Sequence, residues 1–181
     1  MKKLTKIFVS EKSFNSEEHY DIIYSNNTFV KLLLSEGTSI DQIHDDAIYS
    51  YYVDYYDQEM KKGNFSRFVI ESKWDSNINS YILKGLEKIE AYNHLIYFKN
   101  MIAKVENLGK DNIDRLINSD YLGVNDLRDY LDDDLEFFMI DENIDEYNSK
   151  WLKNHPDVYA LPFNQIYIEI EKFLGYKFTN Y

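Results

Sequence analysis

Cysteine is absent from the 181 residues, so disulfides, thiolate metal sites and cysteine nucleophiles are excluded. Only two Pro and six Gly are present, which argues against a linker-rich or disordered chain. No stretch approaches the roughly 18 apolar residues of a membrane-spanning helix. Met1-Lys2-Lys3-Leu4-Thr5-Lys6-Ile7-Phe8-Val9-Ser10 opens like a signal n-region, but its apolar run stops at Ser10-Glu11-Lys12, short of an h-region. A soluble, cytoplasmic protein without membrane contact is expected.

The usual catalytic arrangements are also missing. The four histidines, His19, His44, His94 and His155, form no His-Glu-x-x-His pattern. Asp41-x-x-His44 is a lone helical pair without the second copy that a di-metal carboxylate site needs. Asp141-x-Asn143-x-Asp145 begins like a calcium loop, yet Glu146 stands at the sixth position and Leu152 at the twelfth. Neither a glycine-rich phosphate loop nor Gly-x-Ser-x-Gly occurs. Asp132-Asp133-Asp134 has the character of a weak Mg²⁺ binder, as many acidic runs do. The sequence predicts no catalytic residue, no metal site, no cofactor and no enzymatic activity.

What is present is hydrophobic pattern and acid. Hydrophobic residues make up 44% of the chain, enough for a packed core, with 17 Tyr and 11 Phe among them. Most of these rings fall at helical spacing, and the chain lacks the basic groove of a base-stacking platform, so they read as core. The periodicity is helical nearly throughout. Ser16-Glu17-Glu18 opens a region toward Leu34 that Gly37 stops, and Ser39 with Gln42 has the form of a capping box for a helix over about 40–61. Gly63-Asn64 breaks that run, and Phe65 to Ser72 continues with Phe65, Phe68 and Val69 inward. Asn77 or Asn79 caps a helix bearing Ile82, Leu83, Leu86 and Ile89; another from Ala91 to Leu108 buries Leu95, Phe98, Ile102 and Val105, with Gly109 as its stop. A short helix from Asp111 and a last one over Phe163–Leu174, between Pro162 and Gly175, complete the series. No hairpin turn separates two alternating apolar runs. The expected fold is all-α, a single globular domain over residues 1–181 with roughly eight or nine helices.

Charge is unevenly placed. Residues 1–110 hold 14 Lys/Arg against 16 Asp/Glu, whereas residues 111–181 hold 6 against 16. Between Asp126 and Glu146 ten of 21 residues are acidic and only Arg128 opposes them. Such an asymmetry points to an interaction surface that repels nucleic acid and anionic membrane and attracts basic protein. On a wheel of about 100° per residue, Leu127, Leu131, Leu135 and Phe138 share one face, and Asp126, Asp129, Asp132, Asp133 and Glu136 the opposite one. One helix of about 15 Å with five outward carboxylates is expected there, close to the charge density of one DNA strand, whose phosphates recur every ~3.4 Å. Asp134 falls within the apolar arc and is expected to be a partly buried structural tie. Downstream, Ile144, Tyr147, Trp151 and Leu152 make a second apolar face beside Asp141, Glu142, Asp145 and Glu146, which Lys150 and Lys153 interrupt.

Tyr51-Tyr52-Val53-Asp54-Tyr55-Tyr56, followed by Lys62-Gly63-Asn64-Phe65-Ser66-Arg67-Phe68-Val69-Ile70-Glu71-Ser72-Lys73-Trp74, resembles the central signature of the DNA-mimic protein family. These are small bacterial helical proteins with a core motif Asn-Gly-Gly-Phe-x-Gln-Phe-x-x-Asn-Ser. Gly85-Leu86-x-x-Ile89-x-Ala91-x-x-His94-Leu95 is similar in order and spacing. So is Asn148-x-x-Trp151-Leu152-x-x-His155-Pro156, preceded by Leu131-Asp132-x-Asp134-Leu135. The similarity spans about residues 40–160. Lys62 stands where the family favours Asn, Asn64 where it favours Gly, Arg67 where it favours Gln, Glu71 where it favours Asn, and Glu90 where it favours Gly. The resemblance implies an all-helical fold and an acidic decoy for DNA-binding proteins.

The residues and the resemblance together lead to one functional expectation. The protein mimics DNA charge and inhibits a basic DNA-binding partner (a regulator, nucleoid protein or nuclease) without touching nucleic acid itself. The expected contact residues are Asp126, Asp129, Asp132, Asp133, Glu136, Asp141, Glu142, Asp145 and Glu146. One alternative is an immunity-type inhibitor of a toxin nuclease, with Tyr130 or Phe137 as aromatic anchor. Another is a structural helical module whose acid only confers solubility. Monomer and homodimer both fit, since no heptad run sustains a coiled coil.

Overall fold

The computed structural model describes residues 2–119, 123–133 and 135–178. In chain order the elements are β1 (Ile7–Ser10), α1 (Glu11–Phe14), α2 (His19–Ser35), a 3-10 turn at Ile40–Gln42, α3 (Asp45–Ser72), α4 (Ser76–Lys88) and α5 (Tyr92–Glu106). There follow α6 (Lys110–Ile117), α7 (Asp126–Leu131), α8 (Glu136–Met139), α9 (Ile144–Asn154), β2 (Val158–Leu161) and α10 (Phe163–Leu174). The class is all-α, as the periodicity predicts. Contacts group the chain into two compact units, residues 1–51 with 145–181 and residues 52–144.

The first unit contains a feature the sequence did not announce. β1 and β2 pair in parallel, Ile7 opposite Val158 through Ser10 opposite Leu161. Ile7, Phe8 and Val9 are buried, as are Ile22, Ile23, Phe29, Val30 and Leu33 of α2. Two His-x-Asp segments clasp each other nearby. His155 Nε2 lies 2.9 Å from Asp46 Oδ2, and His44 Nε2 lies 3.3 Å from Asp157 Oδ2. Each imidazole Nδ1 accepts the backbone N–H two residues on, from Asp46 and Asp157 respectively. The Ser39–Gln42 capping box exists, but it closes the 3-10 turn; α3 starts later, at Asp45.

The second unit is built on rings. Tyr56, Phe65, Phe68 and Phe98 are fully buried, with centroid separations of 4.9 Å for Tyr56–Phe98 and 5.6 Å for Phe68–Phe98. Most of these contacts are edge-to-face, the arrangement favoured by the ring quadrupole. The predicted break at Gly63-Asn64 is real: both residues leave helical geometry inside α3, and Asn64 takes φ 63° and ψ −168°. That combination is a glycine region. Glu90 also has positive φ, 64°, and closes α4 in a Schellman motif, Ala91 N donating to Leu86 O and Glu90 N to Glu87 O. Both positions where the resemblance expects glycine thus keep a glycine-like backbone while carrying a side chain. The other departures are held by ion pairs. Lys62 and Arg67 both bond the buried Glu59, at 2.9 and 2.7 Å, and Arg67 reaches Glu71 at 3.7 Å. Burial acts to raise the Glu59 carboxyl, but the bonds from Lys62 and Arg67 hold it below the ordinary carboxylate range.

Candidate partner-binding surface

The continuous helix expected over 126–138 does not form. α7 ends at Leu131, with Asp132 as its C-cap, and α8 begins only at Glu136. Aspartate is a poor helix former whose side chain competes for the backbone, and successive carboxylates at a helix C-terminus oppose the macrodipole. The wheel is therefore valid only as far as Leu131. Leu127 and Leu131 are buried as predicted, whereas Leu135 and Phe138 are 64% and 51% exposed. Phe137, the expected exposed anchor, is instead buried against His94, Tyr56 and Tyr97. Asp134, the expected buried tie, lies outside the described residues.

The nine carboxylates expected to face a partner divide by environment. Asp126 and Asp129 sit on the outer side of α7, opposite its two leucines, and both are exposed. Asn125 caps this helix through the N–H groups of Leu127 and Arg128. Negative charge in the first turn is stabilised by the helix N-terminus, so α7 tolerates two aspartates in one turn. Asp126 has a loose partner in Arg115 at 3.8 Å, with both side chains mostly in water. Asp133 is 60% exposed and meets Lys104, whose ammonium also lies 5.0 Å from the Tyr130 ring centroid. An exposed pair such as Asp126–Arg115 is worth about 0–1 kcal/mol, little enough for an incoming cation to displace. Glu136 is exposed in the first turn of α8, and Asp141 is exposed beyond it.

Asp132 and Glu142 do something else. The Asp132 carboxylate accepts the backbone N–H of Ser66 at 2.9 Å and its hydroxyl at 2.6 Å. Ser66 lies in the first turn of the half of α3 beyond the Gly63-Asn64 break, where N–H groups lack intrahelical acceptors. Glu142 accepts from Asn93 N and His94 N at the start of α5, whose own N-cap residue, Ala91, has no side-chain acceptor. Both acids expected at the partner surface are thus long-range helix caps. Partial burial raises the Asp132 carboxyl above its ordinary value against the two bonds from Ser66. Asp145 and Glu146 lie in the first turn of α9, within the first unit, where Asp145 is half-buried and Glu146 exposed.

His94 closes the inner side of the second unit. It is 3% exposed, and its Nε2 lies 3.0 Å from the Glu142 carbonyl while Nδ1 has no partner among the described residues. Burial drives the imidazole below the ordinary histidine value, opposed by the Glu142 backbone bond. It therefore stays neutral and donates from Nε2. No residue of sequence number near Glu142 could have revealed its caps, because its acceptor role is completed 48 and 49 residues away.

Among the described residues, no helix is long and apolar enough to cross a membrane. No curated protein and no solved structure matches the chain. The family model described as DMP19-like protein matches residues 41–155, more than half of the sequence, and the chain belongs to that family.

Proposed function

We propose that this protein is a non-catalytic acidic decoy that occupies the DNA-binding face of a basic protein in the cytoplasm and so inhibits it. The observation that carries this reading is the set of exposed carboxylates Asp126, Asp129, Asp133 and Asp141, with Glu136 among them, inside the segment matched by the DMP19-like family. The resemblance of this chain's central motif to that of the DNA-mimic protein family supports the same direction. Because α7 is only six residues long, the decoy imitates DNA by local charge density rather than by a straight row of phosphates along one helix. Asp132 and Glu142 are left out of the contact set, since their carboxylates already serve Ser66, Asn93 and His94. Asp145 and Glu146 lie in the first unit and are not counted in this surface. The partner is a regulator, a nucleoid protein or a nuclease whose DNA site is rich in Lys and Arg. The immunity-inhibitor reading loses Phe137 as an anchor and retains only Tyr130, 45% exposed beneath Lys104.

The test is capture from native lysate at low salt, elution with a salt step, and identification by mass spectrometry, using wild type beside Asp126→Lys/Asp129→Lys/Asp133→Lys. Screening acts strongly on exposed charge pairs, so the partner should elute early in salt. A DNA-binding protein recovered by wild type and lost by the reversed variant supports the decoy. Equal recovery by both, with the variant still folded, rejects the acidic surface as the site.

A further inference from the structure

Leu135, Phe138 and Met139 are 64%, 51% and 81% exposed within five consecutive residues. Large apolar side chains are exposed elsewhere too, among them Ile96 and Phe163, but here three fall together in one short segment, and clustered apolar surface of this kind marks an interaction site. The segment is not a loose loop. Phe137, between the exposed residues, is 6% exposed and packs edge-on against Tyr56, 5.8 Å away, and near His94 at 5.1 Å. Asp132, three residues before Leu135, is fastened to Ser66. The three apolar side chains are therefore presented on a fixed mount, with the exposed carboxylates of Asp133, Glu136 and Asp141 interleaved or following along the chain.

Charge decides what can cover them. A second copy would set a unit of 19 Asp/Glu and 11 Lys/Arg against its equal, and like-charge juxtaposition opposes that pairing. An anionic membrane surface is repelled for the same reason. DNA offers the same mixture as this segment, with thymine methyl groups recessed between phosphate rows, so a DNA-binding face carries apolar side chains among its cations. We propose that Leu135, Phe138 and Met139 form an apolar anchor that packs among the cationic side chains of the DNA-binding face the decoy occupies. This rests on the decoy reading and adds that affinity is not set by charge alone.

The experiment is an NMR titration of the isotope-labelled full chain at low salt with two synthetic peptides of equal length and charge. One is built of Lys and Ser, the other of Lys and Leu. The Leu peptide should bind at least about tenfold tighter, a difference of about 1.4 kcal/mol, with amide shifts concentrated over residues 135–141. Leu135→Ser/Met139→Ser should abolish that preference and leave the Ser peptide's affinity unchanged. Equal affinity for both peptides, with shifts confined to Asp126, Asp129 and Asp133, overturns the anchor and leaves the decoy intact. Leu-peptide shifts confined to residues outside 130–141 also overturn it. Binding of neither peptide overturns both readings. A dimer seen by sedimentation that the double Ser variant converts to monomer assigns the patch to self-association and overturns the anchor.

Discussion

Asp132 accepts both the backbone N–H and the hydroxyl of Ser66, so a residue at the end of one helix caps the start of a helical segment 66 positions earlier. This contact fastens the residue that ends α7. It also leaves the Asp132 carboxylate half-buried and engaged within the fold. Asp132→Ala should destabilise the protein by about 1–3 kcal/mol in urea unfolding, because two Ser66 donors lose their acceptor. Asp132→Asn should cost less, since its amide oxygen still accepts. The folded-state pKa of Asp132 is raised, so the folded protein holds this proton more tightly than the unfolded chain. Its contribution therefore falls as pH rises through the raised value. Wild type should gain stability relative to Asp132→Asn as pH is lowered from neutrality to the ordinary Asp range; an unchanged difference would reject the assignment.

Asp141 and Glu142 are neighbours in different settings, Asp141 exposed and Glu142 bonded to the start of α5. Glu142→Ala leaves the Asn93 and His94 N–H groups uncapped and should cost about 1–2 kcal/mol. Asp141→Ala, at an exposed side chain, should stay within about 0.5 kcal/mol of wild type. Equal urea midpoints for the two variants would contradict the capping role.

Asn64 and Glu90 occupy glycine-like backbone. A non-glycine residue in such a region carries strain of about 1–3 kcal/mol, against which glycine's extra chain entropy costs about 0.5–1. Asn64→Gly and Glu90→Gly should each stabilise the fold by roughly 1 kcal/mol. Thermal unfolding reads this directly: each variant should melt higher, and a lower melting temperature for either would show that its side chain outweighs the strain.

His94 is neutral when folded because burial lowers its pKa. The unfolded chain takes up a proton at the ordinary histidine value near ~6.5, while the folded protein does so only at lower pH. Stability should therefore fall as pH drops below that value, by up to about 1.4 kcal/mol per pH unit. His94→Gln keeps an N–H donor for the Glu142 carbonyl and does not titrate. It should flatten the slope by about one proton; the same slope in variant and wild type would place the titration elsewhere.

The sequence carried the helices because their apolar spacing is local. Ile82, Leu86, Ile89, Leu95, Phe98 and Val105 are all buried as their periodicity requires, and Gly175 ends α10 with φ 84°. It did not carry the β1–β2 pair. Two four-residue parallel strands some 150 residues apart have no turn between them to signal pairing, and their backbone bonds are formed only in the folded chain. The candidate surface was legible in composition but not in geometry. Asp126, Asp129 and Asp133 are exposed as expected, whereas the break after Leu131 turned Asp132 inward, Leu135 and Phe138 outward, and Phe137 into the core. A helical wheel assumes the helix continues, and three aspartates in a row are the physical reason it does not.

As a decoy, this protein competes with DNA for one site on its proposed partner. The direct measurement is fluorescence anisotropy of a labelled duplex bound to the partner recovered at low salt, with this protein added as competitor. The account predicts that wild type releases the duplex, that release weakens as salt rises, and that Asp126→Lys/Asp129→Lys/Asp133→Lys releases none. Duplex that stays bound while this protein also binds, or release by the charge-reversed variant equal to wild type, would contradict it.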